Sequence, residues 1–264
     1  DKMSFSTDNT TWTTPEIYAT SKSFTLPTGD GNKTVYVKYY DKAGNISSLY
    51  SKAIILDTLP PSGTVTVNNG AQYITQTAVT LNFSVTDAGS GLSKMSFSSN
   101  NSTWSTAETY GATKAWTFTT GDGNKIVYAK FQDKSGKWSS PVSVTVLLDT
   151  IKPTGSIDIN SGASLTNKYD VTLNLSASDS GAGMGTMSFS TDGTNWTSAE
   201  TYSSSKTFTL PEGDGSKAVY VKFYDKAGLA SAVYSKSISL DTTLPTGWLS
   251  INNGSIYTND RAVA

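Results

Sequence analysis

The residues of this chain most able to do chemistry are aspartates that recur at fixed positions in polar loops. Asp57 follows an apolar run, Asp87 begins the segment DAGSG (87–91), and Asp133 begins the segment DKSG (133–136). Grouped carboxylates of this kind are the oxygen ligands that Ca²⁺ prefers. The same oxygens also bond nearby backbone N–H groups in ordinary turns, so turn formation without a metal is the alternative.

These aspartates belong to a repeat with a constant period of 92 residues. Trp12, Trp104 and Trp196 are spaced by this interval, and so are the motifs Met-Ser-Phe-Ser, Gly-Asp-Gly and Asp-Thr. A fixed period of this length indicates an array of domain-sized units. We place the boundaries at the Asp-Thr-x-x-Pro segments, because proline favours short, stiff linkers. The expected organisation is the C-terminal part of one repeat (1–56), two complete repeats (57–148 and 149–240) and the N-terminal part of another (241–264).

The strands that must position the aspartates are short and separated by turns. Val79, Leu81 and Phe83 alternate with polar residues, which is the period of a strand with one buried face. No stretch has helical periodicity. The pattern predicts an all-β tandem array of immunoglobulin-like (fibronectin-III-like) seven-stranded β-sandwiches. In repeat 57–148 the strands are expected at 63–68 (A), 78–87 (B), 95–99 (C), a strand carrying Trp104, 115–119 (E), 126–132 (F) and 142–148 (G).

Strand direction determines where the loop aspartates meet. Because neighbouring strands alternate in direction, the B–C and F–G loops share a pole with the linker that precedes strand A. The E–F loop lies at the opposite pole and faces the next linker. We therefore expect a junction that contains Asp57, Asp87, Asp133 and, from the preceding E–F loop, Asp30. The next junction is expected to contain Asp149, Asp179, Asp225 and Asp122, and both junctions are candidate calcium sites.

Composition excludes several classes of function. The net charge of −1 leaves no basic surface for nucleic acid, and the longest apolar run, 142–148, is too short to span a membrane. The chain contains no histidine and no cysteine, which removes the commonest general base and any thiolate site. We expect no catalytic residue and no organic cofactor site in this chain.

Aromatic residues also recur with the repeat. Trp104, Tyr110 and Trp116 have counterparts in the other repeats, and we expect most of these side chains to pack against strands. The alternative is a sugar-stacking platform, which would need several exposed aromatic rings on one face. Its candidates are the tyrosines on the outer face of strand F, Tyr36, Tyr40, Tyr220 and Tyr224.

The segment 37–45 (VKYYDKAGN), followed by a strand and Asp57-Thr58-Leu59-Pro60-Pro61, resembles the tandem bacterial Ig-like repeats of large cell-surface and adhesin-type proteins. The resemblance covers the whole chain. It implies an extracellular location and a structural role in a stalk or filament, with mechanical spacing and cell attachment. It also favours calcium at the junctions. The copies depart from the pattern where Asn45 becomes Lys137 and Leu229.

Two other functions remain open at this point. The chain could be a carbohydrate- or protein-binding accessory module of a secreted multidomain protein or polysaccharide-degrading enzyme. Alternatively, because 1–56 lacks strands A and B while 241–264 supplies strand A, chains could exchange strands and form a filament. The expected partners are neighbouring repeats of the same chain, other copies, and glycans or surface proteins.

Overall fold

A computed structural model describes residues 1–263, and nearly all of the regular secondary structure in this range is β-strand. The last residue of the expected segment 241–264 lies outside the described residues. The chain divides into two compact units, Asp1–Asp149 and Thr150–Ala264. Within residues 1–263 the helical structure is limited to two three-residue 3₁₀ turns, Asn160–Gly162 and Asn252–Gly254. No helix in this range is long and apolar enough to cross a membrane.

The N-terminal unit contains twelve strands. They are β1 (Lys2–Ser6), β2 (Glu16–Ile17), β3 (Gly31–Tyr40), β4 (Tyr50–Leu56), β5 (Ser62–Val67), β6 (Tyr73–Ile74), β7 (Ala78–Thr86), β8 (Leu92–Ser98), β9 (Glu108–Thr109), β10 (Thr113–Thr117), β11 (Gly123–Asp133) and β12 (Val142–Leu148). Residues 1–56 form one sheet in the order β2-β1-β3-β4. Repeat 57–148 forms two sheets, in the orders β10-β7-β5 and β6-β12-β11-β8-β9.

The C-terminal unit repeats the second pattern. Its strands are β13 (Thr154–Ile159), β14 (Leu165–Thr166), β15 (Asp170–Ser178), β16 (Met184–Ser190), β17 (Glu200–Thr201), β18 (Ser205–Thr209), β19 (Gly215–Asp225) and β20 (Tyr234–Leu240). They form the sheets β13-β15-β18 and β14-β20-β19-β16-β17.

The prediction of Ig-like β-sandwiches is confirmed. In repeat 57–148, strands β5, β7 and β10 occupy positions A, B and E, and strands β12, β11 and β8 occupy positions G, F and C. Two short strands differ from the expectation. The fourth strand is Glu108–Thr109, and Trp104 lies in the loop before it. An additional strand at position A′, β6, pairs in parallel with β12.

The core of repeat 57–148 lies between its two sheets. Burial alternates along β11, where Val127, Ala129 and Phe131 are fully buried, as the two-residue period of a strand requires. Phe131 packs edge-on against Phe83 from the other sheet at a ring distance of 5.4 Å. The C-terminal unit has an equivalent core around Phe223. Each complete repeat therefore closes its own core.

Residues 1–56 show what happens when strands A and B are missing. The segment SKSFTL (21–26) forms no strand, whereas the nearly identical segment at 205–210 begins with strand β18. In both complete repeats strand E pairs only with strand B. Without strand B, the E segment has no partner for its backbone hydrogen bonds, so sequence propensity alone does not produce a strand.

Candidate metal centre

Three of the predicted aspartates meet at one end of repeat 57–148, the proximal pole, which we define as the end at which strand A begins. Asp57 lies in the linker before β5, Asp87 follows β7, and Asp133 is the last residue of β11. One carboxylate oxygen of each lies within 4.8 Å of the others. Strand alternation brings the three together, because the B–C and F–G loops lie at the same end of the sandwich.

Asp133 is the most buried member of the cluster, with 1% of its surface exposed. Its Oδ1 accepts hydrogen bonds from the Lys137 backbone N–H (2.9 Å) and the Ser135 hydroxyl (2.8 Å). Its Oδ2 is buried and has no hydrogen-bond partner within the described residues. A buried carboxylate oxygen without a partner is costly, so it indicates that this arrangement is suited to a cation.

Asp87 and Asp57 are held by the backbone of the B–C loop. Asp87 Oδ2 accepts from the N–H groups of Gly89 (3.2 Å) and Gly91 (2.6 Å), while its Oδ1 is buried without a hydrogen-bond partner. Asp57 Oδ2 accepts from the Ser90 N–H at 2.7 Å. Hydrogen bonds from the side chain and backbone of Ser90 hold the pKa of Asp57 below its ordinary value. Asp57 is therefore ionised at neutral pH, and its carboxylate lies close to those of Asp87 and Asp133.

Lys137 contributes to the charge balance of the cluster. Its positive charge also lowers the pKa of Asp57, although less than the Ser90 hydrogen bonds do. Three carboxylates so close together repel one another, and two lysines, Lys137 and Lys134, whose Nζ lies beside Gly91 of the B–C loop, offset only part of this repulsion. A divalent cation would neutralise the remainder and use the two free oxygens.

The corresponding aspartate in residues 1–56 has a different environment. Asp41 is exposed, and both of its oxygens are bonded to Asn45, one by the backbone N–H (2.9 Å) and one by the side-chain amide (2.7 Å). Lys137 stands at the position of Asn45 in repeat 57–148. The Lys137 backbone N–H still donates to Asp133 Oδ1, but its side chain has no amide that could donate to Oδ2. The Oδ2 of Asp133 is therefore left available.

The sequence analysis did not identify Gly89 as part of this centre. A Cβ atom at Gly89 would collide with the carboxylate of Asp57, so only glycine lets the B–C loop approach the linker this closely. The sequence signal that could have indicated Gly89 is the glycine at position 181, one 92-residue period later. Sequence alone cannot separate this close approach from an ordinary turn glycine.

We expect the substitution Gly89→Ala to destabilise repeat 57–148 by about 1–3 kcal/mol, the usual cost of overpacking. Thermal unfolding followed by circular dichroism measures the effect. Gly247→Ala is the matched control, because Gly247 has no atom within 4 Å of an added Cβ and no positive φ. Equal unfolding temperatures for the two variants would contradict a tight contact between loop and linker.

Asp30 reaches the linker but not the carboxylate cluster. Its Oδ1 accepts hydrogen bonds from the backbone N–H (3.1 Å) and hydroxyl (2.9 Å) of Thr58. Its carboxylate is not among those that lie within 4.8 Å of one another. In the C-terminal unit, Asp214 accepts the same two bonds from Thr242, both at 2.8 Å. The recurring role of this aspartate is to hold the Asp-Thr linker.

The remaining predicted residues of the N-terminal unit are Asp122 and Asp149. Asp122 lies in the loop between β10 and β11, at the position of Asp30. Asp149 is the last residue of the unit and is fully buried. Its backbone N–H donates to the carbonyl of Ile74 at 2.9 Å, which extends the pairing of β6 with β12.

Asp179 and Asp225 belong to the C-terminal unit and repeat the loop geometry of Asp87 and Asp133. Asp179 Oδ2 accepts from the N–H groups of Gly181 (2.9 Å) and Gly183 (2.8 Å). Asp225 Oδ1 accepts from the N–H of Leu229 (2.9 Å). One oxygen of each carboxylate lies within 4.8 Å of the other.

The recurring tryptophans lie outside the core and are covered by lysines. Lys130 Nζ lies 4.3 Å from the ring centre of Trp104 and 5.0 Å from that of Trp138. Lys38 and Lys222 cover Trp12 and Trp196 at 4.0 and 4.1 Å. These are cation–π contacts that occupy the ring faces a sugar would need. The candidate sugar-binding tyrosines are half-buried: Tyr36, Tyr40, Tyr220 and Tyr224.

No protein-family model and no curated protein sequence matches this chain. Among solved structures, the chain is similar to the fibronectin(III)-like modules of Clostridium thermocellum CbhA, with 20% identity over 71% of this chain and 100% of that chain and a TM-score of 0.46. It is similar to a tetra-tandem repeat in the extending region of a large adhesion protein, with 16% identity over 92% and 66% and a TM-score of 0.29. It is also similar to the D00–D0 domain of intimin, with 13% identity over 68% and 100% and a TM-score of 0.32. At these identities the similarity concerns the fold alone.

Proposed function

We propose that this chain is a structural segment of a long extracellular surface protein of the adhesin type, in which each repeat acts as a spacer. The observation that supports this most directly is the parallel pairing of strands A′ and G, β6 with β12 and β14 with β20. Because the two strands run in the same direction, the chain enters a sandwich at one pole and leaves it at the other. With seven residues in strand G, the two ends of a repeat are about 23 Å apart or more.

The closed cores also support a spacer. Each complete repeat buries its own apolar side chains, so it needs no neighbour to fold, and repeats can be added to increase the length. The proposal assigns no catalysis to these residues and an attachment role to the protein that carries them.

We further propose that Ca²⁺ binds at the proximal pole of repeat 57–148, held by Asp57, Asp87 and Asp133. The buried, unpartnered Oδ2 of Asp133 is the observation that supports a ligand there, beyond the grouping of the carboxylates. The ion would neutralise the cluster and tie the linker to both loops. Within the C-terminal unit, the 92-residue period gives Asp179 and Asp225 the same proposed role as Asp87 and Asp133.

Single-molecule stretching of the 264-residue chain tests the spacer function. We expect separate unfolding events for the two complete repeats, each of which releases a contour length of about 300 Å, the extended length of one 92-residue period. The events are expected to be independent, because each repeat has its own core.

Instead, a single event that releases both repeats together would contradict independent spacers. Phe131→Ala is a useful internal control in this experiment. It should lower the unfolding force of one event and leave the other unchanged, which assigns the events to repeats.

A further inference from the structure

Repeat 57–148 has a cleft at the end opposite the aspartate cluster, where the end of strand β10 in one sheet faces the start of strand β11 in the other. Its volume is about 350 Å³, which is within the range of sites that hold a small organic molecule. Trp116 and Phe118 line it on the side of β10, and Lys125 and Ile126 line it on the side of β11. The cleft lies entirely within one repeat and shares no residue with the proposed calcium site.

The indole ring of Trp116 carries an unused hydrogen-bond donor. Trp116 packs against the core, with its ring 5.7 Å from that of Phe97, and its Nε1 is buried without a hydrogen-bond partner within the described residues. A buried N–H that donates to nothing has lost its hydrogen bond to water and gained none in return. The corresponding residue in repeat 149–240 is Phe208, which has no N–H, so the fold does not require this donor.

The charge at the cleft favours an anionic ligand. Among the described residues that line it, Lys125 is the one with a charge, and its Nζ bonds to the carbonyl oxygen of Thr120 at the long distance of 3.4 Å. Repeat 149–240 has Glu212 where this repeat has the neutral Thr120, so that position adds no negative charge beside Lys125. Asp122, in the same loop, is not among the residues that line the cleft.

We propose that this cleft binds a small aromatic carboxylate. The carboxylate accepts a hydrogen bond from the indole N–H of Trp116 and pairs with the ammonium group of Lys125, and the aromatic ring contacts Phe118 and Ile126. Hydrogen bonds to an ionised acceptor are stronger than neutral ones, which suits a donor that has no partner in the protein. The site belongs to repeat 57–148 alone of the two complete repeats, because Phe208 and Ala218 stand at the positions of Trp116 and Ile126 in the other.

Nuclear magnetic resonance of the indole N–H groups of the full chain tests the site, with 2-naphthoate as the probe. The chain has six tryptophans, and Trp116→Phe identifies the signal of Trp116 by its loss. This variant should fold normally, because phenylalanine occupies the same position at 24 and 208. We expect 2-naphthoate to move the Trp116 signal to lower field until the site is saturated, as donation to a carboxylate does, and to leave the other five unchanged. A Trp116 signal that does not move, or six signals that move alike, would overturn the proposal.

Calorimetric titration with the same probe separates the contributions of the two polar residues. We expect Trp116→Phe and Lys125→Gln each to weaken binding at least about tenfold, because each removes one interaction with the carboxylate. Trp104→Phe is the control, since Trp104 does not line the cleft, and it should bind like the unmodified chain. The uncharged probe 2-naphthylmethanol, which has the same ring system, should also bind at least about tenfold more weakly. Equal affinities for all variants, or for both probes, would show that the cleft does not recognise a carboxylate and the proposal is wrong.

Discussion

Calcium is expected to raise the unfolding temperature of repeat 57–148 by about 10 °C or more at a concentration 100 times its dissociation constant. An ion that binds only the folded state at this excess stabilises it by about 2.7 kcal/mol. For a domain of this size, each kcal/mol shifts the unfolding temperature by roughly 4–8 °C. Differential scanning calorimetry with calcium and with a chelator measures the shift.

Asp133→Asn is the decisive variant for the calcium prediction. It removes one charge and places an amide where the free oxygen lies, so we expect it to abolish most of the calcium-dependent shift. Without calcium, the same change should be neutral or slightly stabilising, because it reduces repulsion among three carboxylates. This opposite sign in the two conditions separates metal binding from a purely structural role.

Asp41→Asn is the matched control, since Asp41 occupies the same position but both of its oxygens are bonded to Asn45. It should leave the calcium response unchanged. An unfolding temperature that calcium does not move in the unmodified chain would contradict the metal proposal, and the three aspartates would then be turn-forming residues only.

The cluster of Asp57, Asp87 and Asp133 could be predicted from sequence because it depends only on the number and direction of the strands. The number of strands between two loops decides whether they lie at the same end of the sandwich, and errors of a few residues in the strand ends do not change that number. Strand B, for example, was expected at 78–87 and is found at Ala78–Thr86. Which oxygen remains free could not be predicted, because it depends on whether the residue at position 137 brings an amide to the loop.

Strand E shows the opposite case, in which sequence is insufficient. The segments 21–26 and 205–210 differ at one position, Ser23 against Thr207, yet only the second forms a strand. The difference comes from strand B, which is about 30 residues away in the sequence of a complete repeat and absent from residues 1–56. Long-range pairing of this kind leaves no local signal. The same absence exposes Tyr39 and Ile54.

Phe131→Ala is expected to destabilise repeat 57–148 by about 3–5 kcal/mol, the usual cost of removing a fully buried aromatic ring. Phe131 is completely buried and packs against both Phe83 and Tyr110, so its removal leaves a cavity between the two sheets. This loss is a large fraction of the stability of a typical domain. Calorimetry should show one transition lowered by roughly 15 °C or more.

The repeat provides a control at the same position of the same strand. Tyr39→Ala removes a ring that is already 36% exposed and lies 5.9 and 5.8 Å from the rings of Tyr18 and Tyr50, so we expect a cost of about 1 kcal/mol. The transition of repeat 149–240 should not move with either variant, because its core around Phe223 is a separate cluster. If Phe131→Ala lowered both transitions equally, the repeats would fold as one cooperative body. Repeat number could not then be changed without changing stability, and the spacer function would lose its physical basis.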